Sequence, residues 1–598
     1  MGSSKMLSRS LMVLAVLVSM NLLVSCSSQA VDKVYESNKN VDNISKLDAQ
    51  QKVVNIADFI KEKDASLAVQ EALEYCKQTK AKKLVFPKGK YDFYITYAND
   101  QFSYIHSNGD FSGQYWLLRR FVFNLTGVND FEIDGGGSEF MFHGFLSPFW
   151  IDNSSNIRLK NFSIDYDRTF HSEGQIVAFD DDTNNVDVSF TSSYPYKIID
   201  NKLTFWDKTY TTKYPWWIIV TFDPAKKEPA YWDGGFYLSS DIFVTELKPG
   251  VVRFCYNGKT PKVGNRFIFN ANHRNVAAIA VNKSSNIEVS DVNIYHCGGM
   301  GVIAQISKDI TIDKLKITPA YGSDRMLSIT ADATHFASCS GKISITNSLI
   351  ENQQDDACHV FGIYATVNQI LSPNEIIVSY AWGVEGIAPD NNVEFVNPKS
   401  YITYSDENKV KATTKLNYVF SKITFDKPLP GNIKVGDLAA NTSNFPDVLI
   451  KNCIIRSSRG RGILPGSGGK VVIENNYFHN QESAILLNGE SYVRSAVRNL
   501  TIRGNTFDNC CFGQPAEAPM MTVNAIKPEY RKDSRYHRNI LIENNTFKIF
   551  NSRVLDIYCV DGLTFRNNKI ETTVDYKQVD DNNELFIIEH SSNVIIGK

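Results

Sequence analysis

Short segments in which aliphatic and polar residues alternate recur along most of this chain. Each copy starts at a turn residue, continues with aliphatic residues at every second position, reaches an Asn or Asp, and ends on a further aliphatic residue or Phe. This alternation is typical of a β-strand that buries one face. The copies occupy residues 156–164, 286–294, 309–317 and 342–350, and later copies begin at Asp447, Lys470, Asn499, Asn539, Gly562 and Asn593.

The spacing of the copies predicts a coil of stacked strands. The first aliphatic positions of consecutive copies differ by twenty-three at 287 and 310, at 448 and 471, and at 540 and 563, and other neighbouring copies are more widely spaced. A period in the twenties, with no helical segment between copies, indicates a β-solenoid and fits leucine-rich or helical repeats poorly. Asn pairs at the strand ends, at 475–476, 544–545 and 567–568, favour tight left-handed bends. The predicted fold class is therefore all-β, a right-handed parallel β-helix.

One amphipathic helix is predicted over residues 64–79. A helix in this place would cap the open N-terminal end of a β-helix, which otherwise exposes strand edges and core. The apolar positions that share one face of the helix are Leu67, Ala68, Ala72, Leu73 and Cys76.

Two stretches break the rhythm of the repeat. Residues 168–275 and 363–443 alternate as strands do but lack the Asn-ended repeat, so they predict two inserted small β-barrel-like modules. The second begins soon after an acid pair, Asp355–Asp356, and is expected to wall the cleft beside it. The predicted organisation is a leader at 1–26, a polar tether at 27–50, a cap with the first coils at 51–167, the inserts at 168–275 and 363–443, and β-helix coils at 276–362 and 444–598.

Composition limits the classes of partner. The chain has 598 residues, of which 43% are hydrophobic and 12% aromatic, enough for one long repeat array with a large buried core. Aromatic residues in excess often line sugar-binding clefts. The net charge is −2, from 63 basic and 65 acidic residues, which argues against nucleic acid or an anionic membrane surface as the main partner.

The N-terminus has the pattern of an export signal. Lys5 and Arg9 precede an apolar run over residues 11–25, which is too short and too interrupted for a membrane span. Leu23-Val-Ser-Cys26 resembles a bacterial lipobox, in which the cysteine is lipidated and becomes the mature N-terminus; an ordinary signal peptide that contains a cysteine is the alternative. We therefore expect an exported protein that a lipid on Cys26 anchors to the bacterial cell envelope, on the periplasmic or the surface face of the outer membrane.

The nine cysteines other than Cys26 predict neither disulfides nor a metal site. They form no CxxC pair and no zinc-like cluster, and their odd number shows no pairing rhythm. We expect them to be small buried apolar residues. We also expect no metal and no cofactor.

A lone acid and an acid pair have the spacing of the repeat. Asp332 precedes Asp355 by twenty-three positions, Asp356 follows directly, and the strand-like segment 342–346 lies between the lone acid and the pair. Acids on adjacent coils would face each other, because neighbouring strands are about 4.8 Å apart. Two carboxyl groups that flank a cleft suit glycosidic hydrolysis, with a separation of roughly 6.5–9.5 Å for inversion and about 5–5.5 Å for retention. Crowding should raise the pKa of one acid, which would make it the natural general acid and its ionised neighbours the bases.

These residues also have a structural interpretation. Adjacent aspartates are common in solvated turns, and 180–182 and 580–581 look like such turns in this chain. An acidic cluster can also bind calcium. Four nearby side chains are candidates for binding sugar hydroxyls, although the two histidines among them could equally lie at the edge of the core. The four candidates are Arg325, His335, Gln354 and His359.

The segment from 327 to 364 resembles glycoside hydrolase family 110, the inverting α-1,3-galactosidases of gut and marine bacteria. The segment reads LSITADATHFASCSGKISITNSLIENQQDDACHVFGIY. Further matching segments are 86–94, 161–170, 457–478 and 496–513, so the resemblance spans most of residues 53–570. The resemblance implies a β-helix with barrel-like insertions. It also implies removal, without a metal, of terminal α-1,3-linked galactose from blood-group-B-type or linear α-galactosyl glycans.

Carried onto this sequence, the resemblance places the general acid on Asp332 and the base that activates water on Asp355, Asp356 or both. Water would then attack the anomeric carbon from the face opposite the leaving group and release β-galactose first. Cys358 and His359 depart from the pattern, because relatives would be expected to have a more polar stretch just beyond the acid pair.

Three other functions stay open at this point. A polygalacturonase-like hydrolase also uses clustered aspartates, and it would bind uronate carboxylates through basic subsites. A β-helix lyase would need calcium and an Arg or Lys base. A non-catalytic surface β-solenoid would bind glycans without releasing sugar. The sequence also leaves open whether the chain forms a homo-oligomer.

Overall fold

The structure, a computed structural model, describes residues 53–109, 116–232, 235, 242–380, 386–488, 495–523, 528–579 and 584–597. The predicted signal sequence, Cys26, the tether at 27–50 and the acid pair at 580–581 lie outside these residues. The chain divides into two units, residues 1–54, described only at 53–54, and residues 55–598. Apart from the strand Val53–Asn55, which crosses this boundary, everything below refers to the second unit. Within the described residues, no helix is long and apolar enough to cross a membrane.

Parallel strands stacked in register form the body of the fold, in two sheets that we name the long sheet and the short sheet. Within the described residues the long sheet contains Lys83–Val85, Lys90–Phe93, Asn129–Phe142, Ser155–Tyr166, Ser285–Ile294, Lys308–Asp313, Lys316–Ile317, Ser340–Thr346, Leu349–Glu351, Asp447–Lys451, Ile454–Arg456, Lys470–Glu474, Tyr477–His479, Asn499–Arg503, Thr506–Asp508, His537–Glu543, Thr546–Ile549, Val560–Arg566, Lys569–Thr572 and Ser592–Ile596. The short sheet contains Asn99–Tyr104, Trp116–Thr126, Ser147–Asp152, Ile279–Asn282, Val302–Gln305, Thr334–Ala337, Cys358–Phe361, Ile463–Pro465, Ile485–Asn488, Met520–Val523, Leu555–Tyr558 and Phe586–Glu589. Each coil passes through the long sheet and then the short sheet, which confirms the predicted β-helix.

Asparagine residues turn the chain between the two strands that a coil gives to the long sheet. Asn475 and Asn544 have φ angles of 57° and 55°, in the left-handed region that Asn adopts more readily than most residues. The residues after them form a ladder. The backbone N–H of Asn476 donates to Oδ1 of Asn505 at 2.9 Å, and that of Asn505 donates to Oδ1 of Asn545 at 2.9 Å. These side chains satisfy buried peptide groups, and the predicted left-handed bends at the Asn pairs are confirmed.

The predicted capping helix spans Ala65–Thr79. Asp64 is its N-cap and accepts a hydrogen bond from the backbone N–H of Ser66 at 2.9 Å. Lys80 ends the helix in the left-handed conformation, with a φ of 57°. The helix packs against the first strands of both sheets, as a cap requires. The remaining short elements are the strand Val53–Asn55, the helix Pro528–Arg531, and the 3-10 turns Ile56–Asp58, Ile95–Tyr97 and Thr442–Asn444.

The first insert is an antiparallel module between the long-sheet strand Ser155–Tyr166 and the short-sheet strand Ile279–Asn282. One of its sheets runs in the order Glu228–Pro229, Trp216–Asp223, Arg266–Ala271, Ser172–Asp180, Asn185–Phe190, Val251–Cys255 and Val244–Lys248. A smaller sheet contains Tyr196–Ile199, Lys202–Trp206 and Lys213–Tyr214. Aromatic side chains join the two sheets, because the ring of Phe205 lies 5.3 Å from that of Phe190 and 5.2 Å from that of Phe269.

The second insert is a closed six-stranded barrel, which confirms the predicted barrel-like module. Its strands follow the order Ala365–Ser372, Glu375–Tyr380, Phe420–Phe425, Asn408–Lys415, Asn392–Val396 and Leu438–Asn441. Aliphatic and aromatic side chains fill its interior, including Val367, Ile376, Val378, Phe395 and Ile423. In the first insert, by contrast, hydrogen bonds between the described strands do not close the larger sheet.

The two inserts leave the coil at opposite ends of short-sheet strands. The first occupies a loop that leads into the short sheet, whereas the second follows Cys358–Phe361 and leads away from it. The loop that holds Asp355 and Asp356 is of the first kind. The first insert contacts this loop, because Nδ2 of Asn352 donates to the backbone O of Lys227 at 2.7 Å. The second insert starts at the other end of the strand Cys358–Phe361, and its predicted place as a wall of the cleft stays a prediction.

Candidate active site

Loops that lead into the short sheet bring the three predicted aspartates together. Thr334 pairs with Cys358 on neighbouring parallel strands of this sheet. Asp332 and Asp356 each stand two positions before these paired residues, so 332 and 356 are equivalent positions on the two coils. Asp356 is thus the residue in line with Asp332, and Asp355, which the 23-residue spacing pointed to, lies one position before it.

The three carboxyl groups form one compact cluster. Asp332, Asp355 and Asp356 each contribute a carboxylate oxygen, and these oxygens lie within 4.8 Å of one another. The side chains of Asp332 and Asp356 are only 4% and 3% exposed, whereas that of Asp355 is 19% exposed. Asp355 is therefore the member of the cluster that water reaches most readily.

Two arginines that the sequence reasoning did not single out neutralise part of this charge. Arg274 places Nη2 2.6 Å from Oδ2 of Asp355, and its Nη1 stands 4.0 Å from Oδ1 of Asp332. Arg461 donates from Nε and Nη2 to the two oxygens of Asp356, at 2.7 and 3.2 Å. A bidentate pair of this kind requires an ionised carboxylate, because both oxygens accept. The geometry therefore favours the charged forms of Asp355 and Asp356.

Glycines on both sides of Arg461 let its coil pass directly beside the acid pair. A Cβ on Gly460 would lie 2.3 Å from the backbone C of Asp355, and a Cβ on Gly462 would lie 2.2 Å from the backbone O of Ala484. Glycine avoids both clashes, because it has no Cβ. The Arg-Gly-Arg-Gly run is visible in one of the segments that matched the family, but its spacing from the aspartates follows no repeat period because the second insert lies between them.

The electrostatic environment separates the pKa values of the two neighbouring carboxyl groups. Burial works to raise the pKa of Asp355, but the positive charges of Arg274 and Arg461 outweigh burial and lower this pKa. Burial also raises the pKa of Asp356 against the opposing charge of Arg461. The nearby charges of Asp355 and Asp332 raise it further. The rise that crowding predicts thus falls on Asp356, which is the more basic of the two carboxylates.

A pair of histidines surrounds Asp332. Nδ1 of His335 lies 2.7 Å from Oδ2 of Asp332, and Nδ1 of His359 lies 3.8 Å from the same oxygen. The other ring nitrogen of His335 meets Nδ1 of His106 at 3.2 Å, and His335 is 2% exposed. Both ring nitrogens of His335 thus have neighbours within hydrogen-bond distance, and its predicted contact with sugar hydroxyls stays a prediction. The sugar-binding role of His359 stays a prediction.

The other two predicted sugar-binding residues have different surroundings. Arg325 forms a bidentate ion pair with Asp165, at 2.8 and 2.6 Å, beside a cavity that the first insert helps to line. The side chain of Gln354 is fully buried, and its amide atoms make no hydrogen bond within the described part of the chain. Neither observation tests a contact with sugar, so both roles stay predictions.

Further carboxyl groups continue the cluster along the coil. Glu482 precedes its short-sheet strand by three residues, the position that Asp355 has two coils earlier. Its Oε2 lies 3.7 Å from Nε of Arg461, and burial raises its pKa against the charge of that arginine. Burial likewise raises the pKa of Glu517 to about 7. Arg461 therefore lies between the aspartates and a second acidic group, Glu482 with Glu517. The equivalence of Glu482 to Asp355 follows from the strand register, which the sequence alone does not give.

The carboxylate cluster and the group of Asp332, His335 and His359 both bring donor atoms close enough to hold a metal ion. Oxygens of Asp355 and Asp356 already accept from guanidinium groups, however, and a cation placed beside those groups would be repelled. Asp332 and His335 are hydrogen-bonded to each other. The arrangement suits proton transfer better than metal binding.

Comparison with known proteins matches the same three parts of the fold. Family models described as GLAA-B beta-barrel domain I and GLAA-B beta-barrel domain II match residues 172–266 and 380–439. A model described as a right handed beta helix region matches residues 431–597. The barrel matches fall on the two inserts, and the third supports the predicted handedness of the coil.

Relatives that cover nearly the whole chain decide the assignment. The α-1,3-galactosidase A of Shewanella woodyi is 34% identical over 568 residues, which cover 92% of this chain and 90% of that protein. The chain belongs to the α-1,3-galactosidase family. The α-1,3-galactosidase B of Bacteroides thetaiotaomicron is 31% identical and covers 92% of this chain and 91% of its own length. The α-1,3-galactosidase A of Bacteroides fragilis is 28% identical, with 88% of each chain covered.

Membership of the α-1,3-galactosidase family confirms the resemblance found in the sequence. The segments 327–364 and 457–478, which carry that resemblance, are the ones that bring the three aspartates and Arg461 together. In this α-1,3-galactosidase family member, the matched segments therefore build the centre of the candidate site.

Proposed function

We propose that this protein is an exo-acting glycoside hydrolase that removes terminal α-1,3-linked galactose from oligosaccharides or glycoconjugates. The observation that supports this most is the cluster of Asp332, Asp355 and Asp356 with its two arginines, in a chain of the α-1,3-galactosidase family. Carboxyl groups on both sides of one bond are the machinery of glycosidic hydrolysis. The substrate would be an α-galactosyl glycan of blood-group-B type or a linear one.

Asp332 is the proposed general acid. A general acid must be protonated before the reaction, and Asp332 shares a hydrogen bond with His335, which accommodates a proton on either partner. By the crowding argument alone, the raised pKa would make Asp356 the acid. Its bidentate pair with Arg461 favours the ionised form instead, because both oxygens accept. Asp332 would give its proton to the departing glycosidic oxygen.

Asp355 and Asp356 would act together on the attacking water. Asp355 is the most exposed carboxylate of the cluster, and its lowered pKa keeps it ionised, so it would orient the water by accepting a hydrogen bond. Asp356 has the raised pKa and would take the proton, since a more basic carboxylate is the better general base. The water would attack the anomeric carbon from the face opposite the leaving group.

Inversion is proposed although the cluster is compact. The nearest oxygens of the three carboxyl groups lie within 4.8 Å, closer than the roughly 6.5–9.5 Å typical of the two carboxyl groups of an inverting enzyme. A carboxylate that attacks the sugar directly needs an oxygen free to form the bond. Arg461 binds both oxygens of Asp356, while Arg274 and the backbone N–H of Asp356 take the two oxygens of Asp355. These contacts favour proton transfer from water over covalent attack.

Release of galactose with its initial anomer is the test of this function. Residues 27–598 are incubated with galactose-α-1,3-galactose, and NMR follows the anomeric protons before mutarotation. We expect β-galactose first. The α-anomer would overturn single displacement and indicate a covalent intermediate. Absence of release, with release from polygalacturonan in a parallel reaction, would support the polygalacturonase-like rival. Binding without release from either substrate would support a glycan-binding solenoid.

We also propose that a lipid on Cys26 anchors the protein to the bacterial outer membrane. The lipobox-like Leu23-Val-Ser-Cys26 after a short apolar run supports this. In bacterial cells, the wild-type chain is expected to partition into the detergent phase of a Triton X-114 extraction. The Cys26→Ser variant is expected to lose metabolic labelling with a fatty acid. Labelling of the variant at the wild-type level would overturn the anchor, and Cys76→Ser serves as the matched control because Cys76 is buried in the capping helix.

A further inference from the structure

One part of the first insert, residues 226–232 together with Gly235, runs past loops of the candidate active site. The backbone O of Lys227 accepts a hydrogen bond from Nδ2 of Asn352, in the loop of the acid pair, at 2.7 Å. A Cβ on Gly235 would lie 3.4 Å from Nε of Arg459, in the loop of the next coil. This part of the insert therefore borders the loops that supply the acid pair and the arginine bound to it.

Glu228, in the middle of this segment, reaches across to later coils. Its Oε2 lies 3.0 Å from Nε2 of His479, the last residue of a long-sheet strand, and its Oε1 accepts from the hydroxyl of Tyr576 at 2.9 Å. The side chains of Glu228 and His479 are only 9% and 15% exposed. The backbone N–H of Trp232 donates to the backbone O of Phe512 at 2.8 Å. The segment is thus fastened to three coils that follow the loops of the acid pair and its arginine.

Stacked aromatic rings surround this contact. The ring of Phe512 stacks on those of His479 and Tyr576, with centroids 4.9 and 5.4 Å apart. The ring of Tyr231 also stacks on that of Tyr576, at 5.3 Å. Because these rings keep water away, water cannot relieve a repulsion between the imidazole of His479 and the carboxylate of Glu228.

The contacts of His479 require a bound proton. Its Nδ1 lies 2.7 Å from the backbone O of Asp508, and a carbonyl oxygen only accepts, so Nδ1 carries a hydrogen. Without a second proton, Nε2 would turn a lone pair towards a carboxylate oxygen 3.0 Å away, which is repulsive. The single hydroxyl hydrogen of Tyr576 goes to Glu228 at 2.9 Å in preference to Nε2 at 3.3 Å. The contact is therefore a hydrogen bond that needs one extra proton, whichever of the two side chains holds it.

We infer that the Glu228–His479 contact is a proton-dependent clasp, which holds the segment 226–232 beside the active-site loops while the proton is bound and releases it at higher pH. Burial works to lower the pKa of His479, but its hydrogen bonds to Glu228 and to the backbone of Asp508 outweigh burial and raise this pKa. A histidine with a raised pKa stabilises the closed form fully below its ordinary pKa of about 6.5. This stabilisation is lost as the pH rises through the raised value.

Other titratable and charged groups face the pair from the elements around it. Lys226 on the same segment lies 3.3 Å from Glu228 and also stands over the ring of Tyr576. Burial, with the nearby charge of Glu228, raises the pKa of Tyr576, so its hydroxyl stays a donor. The neighbouring coils contribute Asp508, with its partners Tyr477 and Lys548, and Asp575. Histidine is the one of these residue types whose ordinary titration lies between pH 5 and 8.

Hydrogen exchange at the backbone amide of Trp232 tests the clasp without any substrate. Mass spectrometry follows the exchange at pH 6 and at pH 9, and division by the chemical exchange rate at each pH gives a protection factor. Opening releases one proton, so the ratio of open to closed form rises by up to about tenfold per pH unit. We therefore expect the wild-type protection factor to fall by roughly tenfold or more between the two pH values. A peptide from the inner strand Arg266–Ala271 is expected to keep its protection.

Glu228→Gln removes the need for the extra proton. Its amide N–H can donate to the lone pair of neutral His479, while its carbonyl oxygen accepts from Tyr576. The protection factor of the Trp232 amide in this variant is therefore expected to be the same at pH 6 and pH 9.

The control is Glu246→Gln, the same charge change in the same insert, at a carboxylate that accepts from Tyr196 at 2.6 Å. It is expected to keep the wild-type dependence on pH, and thermal melting checks the fold of both variants. Equal protection of the Trp232 amide at both pH values in the wild type would overturn the clasp. A dependence on pH that persists in Glu228→Gln would overturn it too, because another group would then be titrating. The inference does not rest on the proposed function, since the measurement involves no release of galactose.

Discussion

Replacing Asp332 with asparagine is expected to lower kcat/KM for galactose-α-1,3-galactose by roughly 10²–10⁴-fold, the range that general acid catalysis contributes. A sugar hydroxyl is a poor leaving group unless it is protonated as the bond breaks. A nitrophenyl α-galactoside leaves as a stabilised phenolate and hardly needs the proton. The loss on the nitrophenyl substrate is therefore expected to be much smaller than the loss on the disaccharide.

The ratio of the two losses is the informative measurement. Initial rates on both substrates give kcat/KM for the wild type, for Asp332→Asn, and for Asp182→Asn as a control at an exposed turn of the first insert. The control is expected to match the wild type on both substrates. Equal losses on the two substrates for Asp332→Asn would remove Asp332 as the acid. A large fall in melting temperature would show instead that the Asp332–His335 hydrogen bond mainly supports the fold.

This experiment also decides between two assignments that the structure sets against each other. Burial, with the nearby charges of Asp355 and Asp332, raises the pKa of Asp356, which by itself would make Asp356 the acid. The bidentate contact with Arg461 argues that Asp356 is charged. If Asp356→Asn, and not Asp332→Asn, spares the nitrophenyl substrate, the roles of the two residues are reversed.

The coil could be predicted from the sequence because the residues of each copy determine the local structure of that copy. Alternating aliphatic residues fix which face of a strand is buried, and an Asn such as Asn475 fixes where the chain bends. The capping helix was equally local, with Asp64 at its N-cap and a buried face at four-residue spacing. The closed barrel of the second insert could be named as a module, but its strand order depends on contacts that no local pattern specifies.

From the sequence, only those residues of the candidate site could be predicted that come from neighbouring coils with no insert between them. Asp332 and Asp356 lie one coil apart, so the repeat period brought them close in the sequence reasoning. Arg461 also lies one coil beyond Asp356, but the second insert separates the two by 105 residues and hides the period. Arg274 and His106 reach the cluster from outside the stacked loops, so spacing carries no information about them.

The register of the strands corrected one detail with chemical consequences. The 23-residue spacing suggested that Asp355 faces Asp332, whereas the paired strands put Asp356 in line with it. Asp356 is consequently the buried member and Asp355 the exposed one. A loop with one residue more than the repeat thus separates the more exposed carboxylate of Asp355 from that of Asp356, whose pKa is raised. In the proposed mechanism this difference gives the two adjacent aspartates different roles.

Replacing Asp356 with alanine is expected to lower kcat/KM by roughly 10²–10⁴-fold on the disaccharide and on the nitrophenyl substrate alike. The water must be activated whichever group leaves, so a good leaving group does not reduce the loss in kcat/KM. Added azide, which needs no deprotonation, is expected to restore turnover of the nitrophenyl substrate and to give β-galactosyl azide. Restored turnover that yields only the α-azide would contradict an attack from the face opposite the leaving group.

The pH profile then identifies which carboxylate is the base. A base works only when ionised, so wild-type kcat/KM is expected to fall as the pH drops through the raised pKa of Asp356, above the roughly 3.9 of an ordinary aspartate. The charge of Asp355 contributes to that rise, and Asp355→Asn removes the charge while keeping the shape. The acid limb of Asp355→Asn is therefore expected to lie at lower pH than in the wild type. If Asp355 were itself the base, this variant would have no acid limb to move, because the titrating group would be gone.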